Sequence, residues 1–249
     1  MIKLERVACP TELTHQKQAE LTQEFKLDSS KRVWDKDYIK DALRTMSYYK
    51  CCFCEVNVSE ESKYMEVEHF ECKSVYPDKV VLWSNLLPAC RRCNAQKGTY
   101  DVADGALIDP TAVEPKLHIF MRDNYRFRHR DNLGETTVEE LYLNDSERLV
   151  YPRFKIGEKI NNAISIIERD FEKLAIEPAS RRKQNIVKRS IAALLHEAAP
   201  TTEFSATAAT CIVKSVEFNK IRRGLETLGL WDADLERAHL VAVGSSLAE

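Results

Sequence analysis

Four cysteines in two Cys-x-x-Cys pairs are the residues of this sequence whose types and spacing best predict a chemistry. The pairs are Cys51/Cys54 and Cys90/Cys93, and 35 residues lie between Cys54 and Cys90. A Cys-x-x-Cys turn can direct both thiolates at one ion, and two such turns complete a tetrahedral zinc site that has no open position. We therefore predict that these four cysteines bind one structural zinc ion and that Cys52 packs as a small hydrophobic side chain.

Two alternative interpretations explain fewer of these cysteines. A disulfide framework is disfavoured because the start of the sequence does not resemble a signal peptide and a chain of 249 residues does not need such cross-links. A redox-active Cys-x-x-Cys pair would explain one of the two pairs but not both.

A carboxylate, a histidine and two asparagines accompany the cysteine pairs. Glu68 and His69 are adjacent, Asn85 follows 16 residues after His69, and Asn94 comes directly after Cys93. Histidine is the usual general base near neutral pH, and carboxylate and amide oxygens suit Mg²⁺. An asparagine can also hold an imidazole in one tautomer. Brought into one pocket, these groups predict hydrolysis of phosphodiester bonds.

The order of these motifs resembles that of a known nuclease family. Cys-x-x-Cys, then Glu-His, then Asn-Leu-Leu-Pro-Ala-Cys-Arg-Arg-Cys-Asn-x-x-Lys-Gly is similar to the zinc-supported HNH endonucleases with a ββα-metal fold. The resemblance implies that His69 is the general base, that Asn85 is the middle asparagine of the motif, and that Glu68 and Asn94 bind a catalytic Mg²⁺ or a similar divalent ion. Glu68 stands where many members have aspartate, and Asn94 stands where the final histidine often lies.

A looser resemblance covers about residues 1–155 and narrows the family. It includes Leu4-Glu5-Arg6 with Cys9-Pro10, Tyr76-Pro77, Ile108-Asp109-Pro110, and Gly134 to Asn144 with Arg153. These stretches resemble the HNH subunits of bacterial Septu and retron-associated anti-phage systems. The resemblance implies a cytoplasmic effector, a PtuA-like ATPase partner and a nucleic-acid target. A retron context would add a reverse transcriptase and msDNA as partners, and the sequence leaves Septu against retron, and DNA against RNA, open.

Two groups of cations are predicted to contact nucleic acid. One surrounds the second cysteine pair: Arg91, Arg92 and Lys97. The other alternates with Tyr125, Phe127 and His129, so that a strand would present one basic face: Arg126, Arg128 and Arg130. A solvated charged face of an ordinary strand explains the second group equally well.

Composition sets only mild bounds on function. Hydrophobic residues make up 44% and charged residues 31%, and the net charge is −2. This balance argues against a long electrostatic footprint for nucleic acid built by this chain alone. No apolar run approaches 18 residues, so we expect no membrane span. A non-catalytic zinc module that binds nucleic acid or protein is the alternative to a nuclease.

The predicted fold is α+β and mainly helical, with a zinc-supported ββα-metal core between N-terminal helices and a C-terminal helical region. We divide the chain into an N-terminal arm and helices (1–47), the HNH zinc module (48–112), a strand and turn extension (113–152) and a helical domain (153–249).

Individual elements follow from apolar periodicity and capping residues. Helices are predicted from Thr11 to about residue 25, over 36–47 after Asp35, and, in the C-terminal region, over 154–176, 178–199, 203–228 and 232–243. Gly98 should end a short helix after Asn94. A short strand is expected near 104–110, a turn at Asn132-Leu-Gly, and a strand or short helix over 136–143.

Overall fold

The cysteine-rich segment folds as two antiparallel strands followed by a short helix in the computed structural model, which describes residues 1–59 and 64–249. β1 (Met65–His69) pairs with β2 (Leu86–Cys90), so that Met65 lies opposite Cys90 and His69 lies opposite Leu86. α3 (Arg91–Lys97) follows β2 without a break and ends at Gly98, whose φ of 54° favours glycine. The helix stop predicted at Gly98 is confirmed.

The described residues form two compact units. The first comprises Met1–His118 and His129–Leu143, and the second comprises Ile119–Arg128 and Asn144–Glu249. The predicted zinc module lies in the first unit and the predicted helical domain lies in the second. The predicted extension, 113–152, is divided between them.

Two helices precede β1 in the first unit, at bounds that differ from those predicted. α1 (His15–Leu27) is capped by Thr14 rather than Thr11. α2 (Asp37–Met46) begins after Lys36 without a side-chain cap, so Asp35 does not cap it. The apolar face of α2 packs on β1 and β2: Ile39, Leu43 and Met46 are buried and Ala42 is half-buried.

The remaining elements of the first unit correct two predictions. No strand forms at 104–110 among the residues that the structure describes. The predicted turn at Asn132-Leu-Gly is instead the first turn of α4 (Asn132–Glu140), because Asp131 Oδ1 accepts a hydrogen bond from the Gly134 amide at 2.9 Å and caps the helix.

The second unit is a bundle of helices around one apolar core. Its helices are α5 (Tyr151–Ile176), α6 (Arg181–His196), α7 (Ser205–Lys214), α8 (Val216–Thr227) and α9 (Ala233–Ser245). The single helix predicted over 203–228 is wrong, because the chain turns at Ser215, whose hydroxyl accepts from the Phe218 amide at 3.0 Å and caps α8. No helix in the described part of the chain is both long and apolar enough to cross a membrane.

Two short strands complete the fold: β3 (Ile119–Met121) and β4 (Phe127–His129), which pair with each other. The predicted alternation over 125–130 holds only in part. Tyr125 adopts a left-handed φ of 60°, so the strand begins at Phe127, which is buried.

Candidate active site and metal centre

The two cysteine pairs form one cluster in the first unit. Their four Sγ atoms all lie within 4.8 Å of one another and all four residues are buried. Cys54 Sγ and Cys90 Sγ are 3.7 Å apart. A tetrahedron of thiolates around zinc, with Zn–S bonds of about 2.3 Å, has edges of about 3.8 Å. The cluster therefore has the donor set and the dimensions to hold a zinc ion.

The cluster is tied to both the strands and the helix of the site. Cys90 is the N-cap of α3, and its Sγ accepts a hydrogen bond from the Cys93 amide at 3.5 Å. The backbone N–H of Cys52 donates to the Pro88 carbonyl in β2 at 2.9 Å. The Cys52 side chain is buried outside the cluster, as predicted. An ion held by the four cysteines would thus fix where α3 begins.

Glu68, His69 and Asn94 line one cavity of about 470 Å³. Glu68 and His69 come from the end of β1, and Asn94 comes from α3 one residue after the last cysteine. Three of the four residues predicted to carry the chemistry are thus brought together. Asn85 does not line this cavity.

The His69 imidazole is held in one tautomer by a backbone carbonyl. Its Nε2 lies 2.9 Å from the Val80 carbonyl oxygen, which can only accept, so Nε2 carries the proton and Nδ1 has a free lone pair. The ring packs against Trp34 in a T-shaped arrangement, with centroids 4.7 Å apart. Burial, with a smaller effect of Lys73, lowers the pKa of His69 to about 4. The imidazole is therefore neutral at pH 7 with an open lone pair on Nδ1, and the lowered pKa makes it a weaker base than an exposed histidine.

Glu68 is paired with a buried lysine. Its Oε1 lies 2.8 Å from Lys97 Nζ, and both side chains are at most 2% exposed. Burial raises the pKa of Glu68 to about 7 in spite of the charge of Lys97. Lys97 Nζ also donates to the His69 carbonyl at 2.9 Å. The nucleic-acid contact predicted for Lys97 does not fit this position, because the ammonium is buried and its bonds go to the Glu-His motif.

Asn94 is oriented by a second carboxylate of β1. Its Nδ2 donates to Glu66 Oε2 at 2.6 Å, which leaves the amide oxygen as the acceptor atom for a cation. Sequence reasoning assigned no role to Glu66. The signal was present, because alternation along a strand puts Glu66 on the same face as Glu68.

Asn85 supports the segment that follows β1 rather than the imidazole. Its Nδ2 donates to the Glu71 and Lys79 carbonyls at 3.0 and 3.1 Å, and its Oδ1 accepts from the Glu71 amide at 2.8 Å. The geometry therefore gives the orienting role that was predicted for an asparagine to the carbonyl of Val80. No sequence signal marks that carbonyl, because any residue would offer one.

The arginines predicted to contact nucleic acid differ in their freedom to do so. Arg91 is exposed at the start of α3, whereas Arg92 donates to the Leu141 and Tyr142 carbonyls at 3.3 and 2.6 Å. Of the other three arginines, Arg126 donates to Asn144 and Ser146, Arg130 is exposed and donates to the Lys116 carbonyl, and Arg128 is exposed.

Two curated proteins are similar to this chain. The Septu protein PtuB of Bacillus thuringiensis is 43% identical over 242 residues, which cover 95% of this chain and 91% of that protein. The Septu protein PtuB of Bacillus mycoides (strain KBAB4) is 25% identical over 154 residues, which cover 49% of this chain and 52% of that protein. No protein-family model and no solved structure matches the chain.

Proposed function

Because the chain belongs to the family of the Septu protein PtuB, we propose that it is the nuclease subunit of a bacterial anti-phage defence complex. In this proposal it is a metal-dependent HNH endonuclease that hydrolyses phosphodiester bonds of DNA or RNA and works with a PtuA-like ATPase in the cytoplasm. The observation that carries the proposal is the cavity in which Glu68, His69 and Asn94 meet beside the four-cysteine cluster. The order of strand, strand and helix around them supports an HNH core.

His69 is the general base of the proposed reaction. The Val80 carbonyl fixes its tautomer and burial keeps it neutral, so Nδ1 can take a proton from a water molecule that attacks phosphorus. Glu66 turns the Asn94 amide so that its oxygen is left to bind a cation, and Glu68 supplies a carboxylate in the same cavity. A Mg²⁺ ion bound by Glu68 and Asn94 would stabilise negative charge on the phosphate and on the leaving oxygen.

The cysteine cluster has a structural role in this proposal. A zinc ion with four thiolate ligands has no open position for a substrate or water. Its contribution is to hold the start of α3 against β2, and so to place Asn94 opposite the end of β1.

Partner subunits complete the proposal. With a net charge of −2, this chain brings little electrostatic attraction for nucleic acid, and the ATPase subunit would supply the remainder. A retron reverse transcriptase with its msDNA is a further partner if the complex belongs to a retron-associated system.

One observation favours the alternative of a non-catalytic zinc module that binds nucleic acid or protein. The Glu68 carboxylate already has a cationic partner in Lys97, so its charge is balanced without a divalent ion. In this alternative the Glu-His motif would serve folding alone, and the exposed surface around the cysteine cluster would serve binding.

Cleavage of two substrates distinguishes the two functions. Plasmid DNA and total RNA are incubated with Mg²⁺ and this chain, with and without its ATPase partner, and phage plating is measured on cells that carry both genes. We expect cleavage of one substrate and loss of phage protection in His69→Ala. If the wild-type and His69→Ala complexes protect cells from phage equally well and neither cleaves either substrate, this chain is a binding module and not a nuclease.

A further inference from the structure

The walls of the candidate active site include cationic side chains that have no role in the proposed reaction. Lys26 and Lys73 line the cavity of about 470 Å³ that contains Glu68, His69 and Asn94. Arg32 and Lys73 line a second cavity of about 230 Å³, which also contains His69, Asn94 and the Glu66 carboxylate that bonds Asn94. Lys73 is thus the cation that lines both cavities, together with the candidate base His69.

The other cations nearby already have acidic partners. Lys26 pairs with Asp78, Arg32 lies 3.5 Å from Asp35, and Lys97 lies 2.8 Å from Glu68. The structure records no ion pair for Lys73 over residues 1–59 and 64–249, and its ammonium instead lies 5.0 Å from the centroid of the Trp34 ring. Lys73 is half-buried, and its ammonium, held on an aromatic face, has charge to offer an anion.

Trp34 connects this ammonium to the candidate base. One indole contacts both the Lys73 ammonium and, at a centroid distance of 4.7 Å, the His69 imidazole. Lys73 and His69 thus line the same two cavities, where a phosphate attacked by water activated at His69 would lie.

We propose that Lys73 is a catalytic residue that binds a non-bridging oxygen of the scissile phosphate. The inference rests on the proposed nuclease function and names one contact that its substrate makes. Negative charge on the non-bridging oxygens increases as water adds to phosphorus. An ammonium fixed beside them in a partly dry cavity stabilises that charge more in the transition state than in the ground state.

The experiment measures phosphate contact and catalysis separately, using the full chain in complex with its ATPase partner. Binding of a labelled 20-base-pair DNA duplex, and of an RNA duplex of the same sequence, is measured against salt concentration in a His69→Ala background. Single-turnover cleavage is measured with His69 present. Lys73→Met, Lys73→Arg and the matched control Lys17→Met are compared; Lys17 is a lysine of α1 that lines neither cavity.

For Lys73→Met we expect the slope of log affinity against log salt to become less steep by about 0.9, the value for one lost phosphate contact on duplex DNA. Cleavage should slow about 10²- to 10³-fold, as for loss of one donor to transition-state charge. Lys73→Arg should keep the slope, and Lys17→Met should keep both slope and rate.

Three results would overturn the proposal, and they have different meanings. If Lys73→Met keeps both slope and rate, Lys73 does not contact the phosphate. If its rate falls at an unchanged slope, Lys73 acts only through the structure of the site. If the wild-type complex binds neither duplex and cleaves neither, the nuclease function fails together with this inference.

Discussion

Replacing Lys97 with methionine should destabilise the first unit strongly. The Lys97 and Glu68 side chains are 0% and 2% exposed, and Nζ lies 2.8 Å from Oε1. Methionine fills a similar volume but cannot neutralise the carboxylate, so the variant would bury an unpaired charge. Removing one partner of a buried ion pair costs about 3–5 kcal/mol. The lost hydrogen bond to the His69 carbonyl adds about 1 kcal/mol.

The loss should depend on pH. The folded-state pKa of Glu68, about 7, lies above its ordinary value of 4.5, so the folded state keeps a proton that the unfolded state has lost. Stability therefore falls as pH rises through this window. Without Lys97 the folded-state pKa of Glu68 rises further, and stability should continue to fall above pH 7. The difference from wild type should thus be smaller at pH 6 than at pH 8.

Urea unfolding at both pH values, in magnesium-free buffer, measures this difference. Adding Glu68→Gln to Lys97→Met should recover most of the lost free energy at pH 8, because no charge is then buried. Lys26→Met, which removes one partner of an exposed pair with Asp78, is the matched control and should change the free energy of unfolding little. An equal loss at pH 6 and pH 8, with no recovery in the double variant, would refute the reasoning.

Three further predictions concern zinc, the buried amide and the imidazole. Cys93→Ser should lower the zinc content from one ion per chain to none and abolish cooperative unfolding of the first unit. A zinc-free variant that unfolds like wild type would disprove the structural role of the ion. Asn85→Ala should lower the free energy of unfolding in urea titrations by about 3 kcal/mol, since three hydrogen bonds are lost. Asn85→Asp should lower it by at least as much, because its carboxylate would face the Glu71 and Lys79 carbonyls. An Asn85→Asp variant as stable as wild type would contradict these contacts. In magnesium-free buffer the His69 ring resonance, assigned by comparison with His69→Ala, should not titrate above pH 5; a midpoint near 6.5 would contradict its burial.

The cysteine cluster and its neighbours were predictable because their geometry is encoded locally. A Cys-x-x-Cys spacing predisposes a turn to bind metal, and the position of Asn94 after Cys93 places it on the helix that begins at the cluster. The β1 strand and the stop at Gly98 also follow from alternation and from the conformational freedom of glycine.

The interactions that tune the site were not predictable, because they join residues far apart in sequence. Trp34 packs on His69 across 35 positions, and Lys97 reaches Glu68 across 29. Lys97 also shows that a cation in a basic run can be buried instead of facing a ligand. The break at Ser215 was missed since serine is tolerated within helices, and only its cap contact with the Phe218 amide reveals the new helix.

The rate of magnesium-dependent cleavage by His69→Ala, relative to wild type, tests the central claim most directly. Both proteins are assayed in complex with the ATPase partner, at equal zinc content, beside His15→Ala, which changes an exposed histidine of α1. A general base at Nδ1 predicts a rate about 10²- to 10⁴-fold lower for His69→Ala alone. Equal rates for all three proteins would contradict the assignment of His69 as the base of a nuclease site.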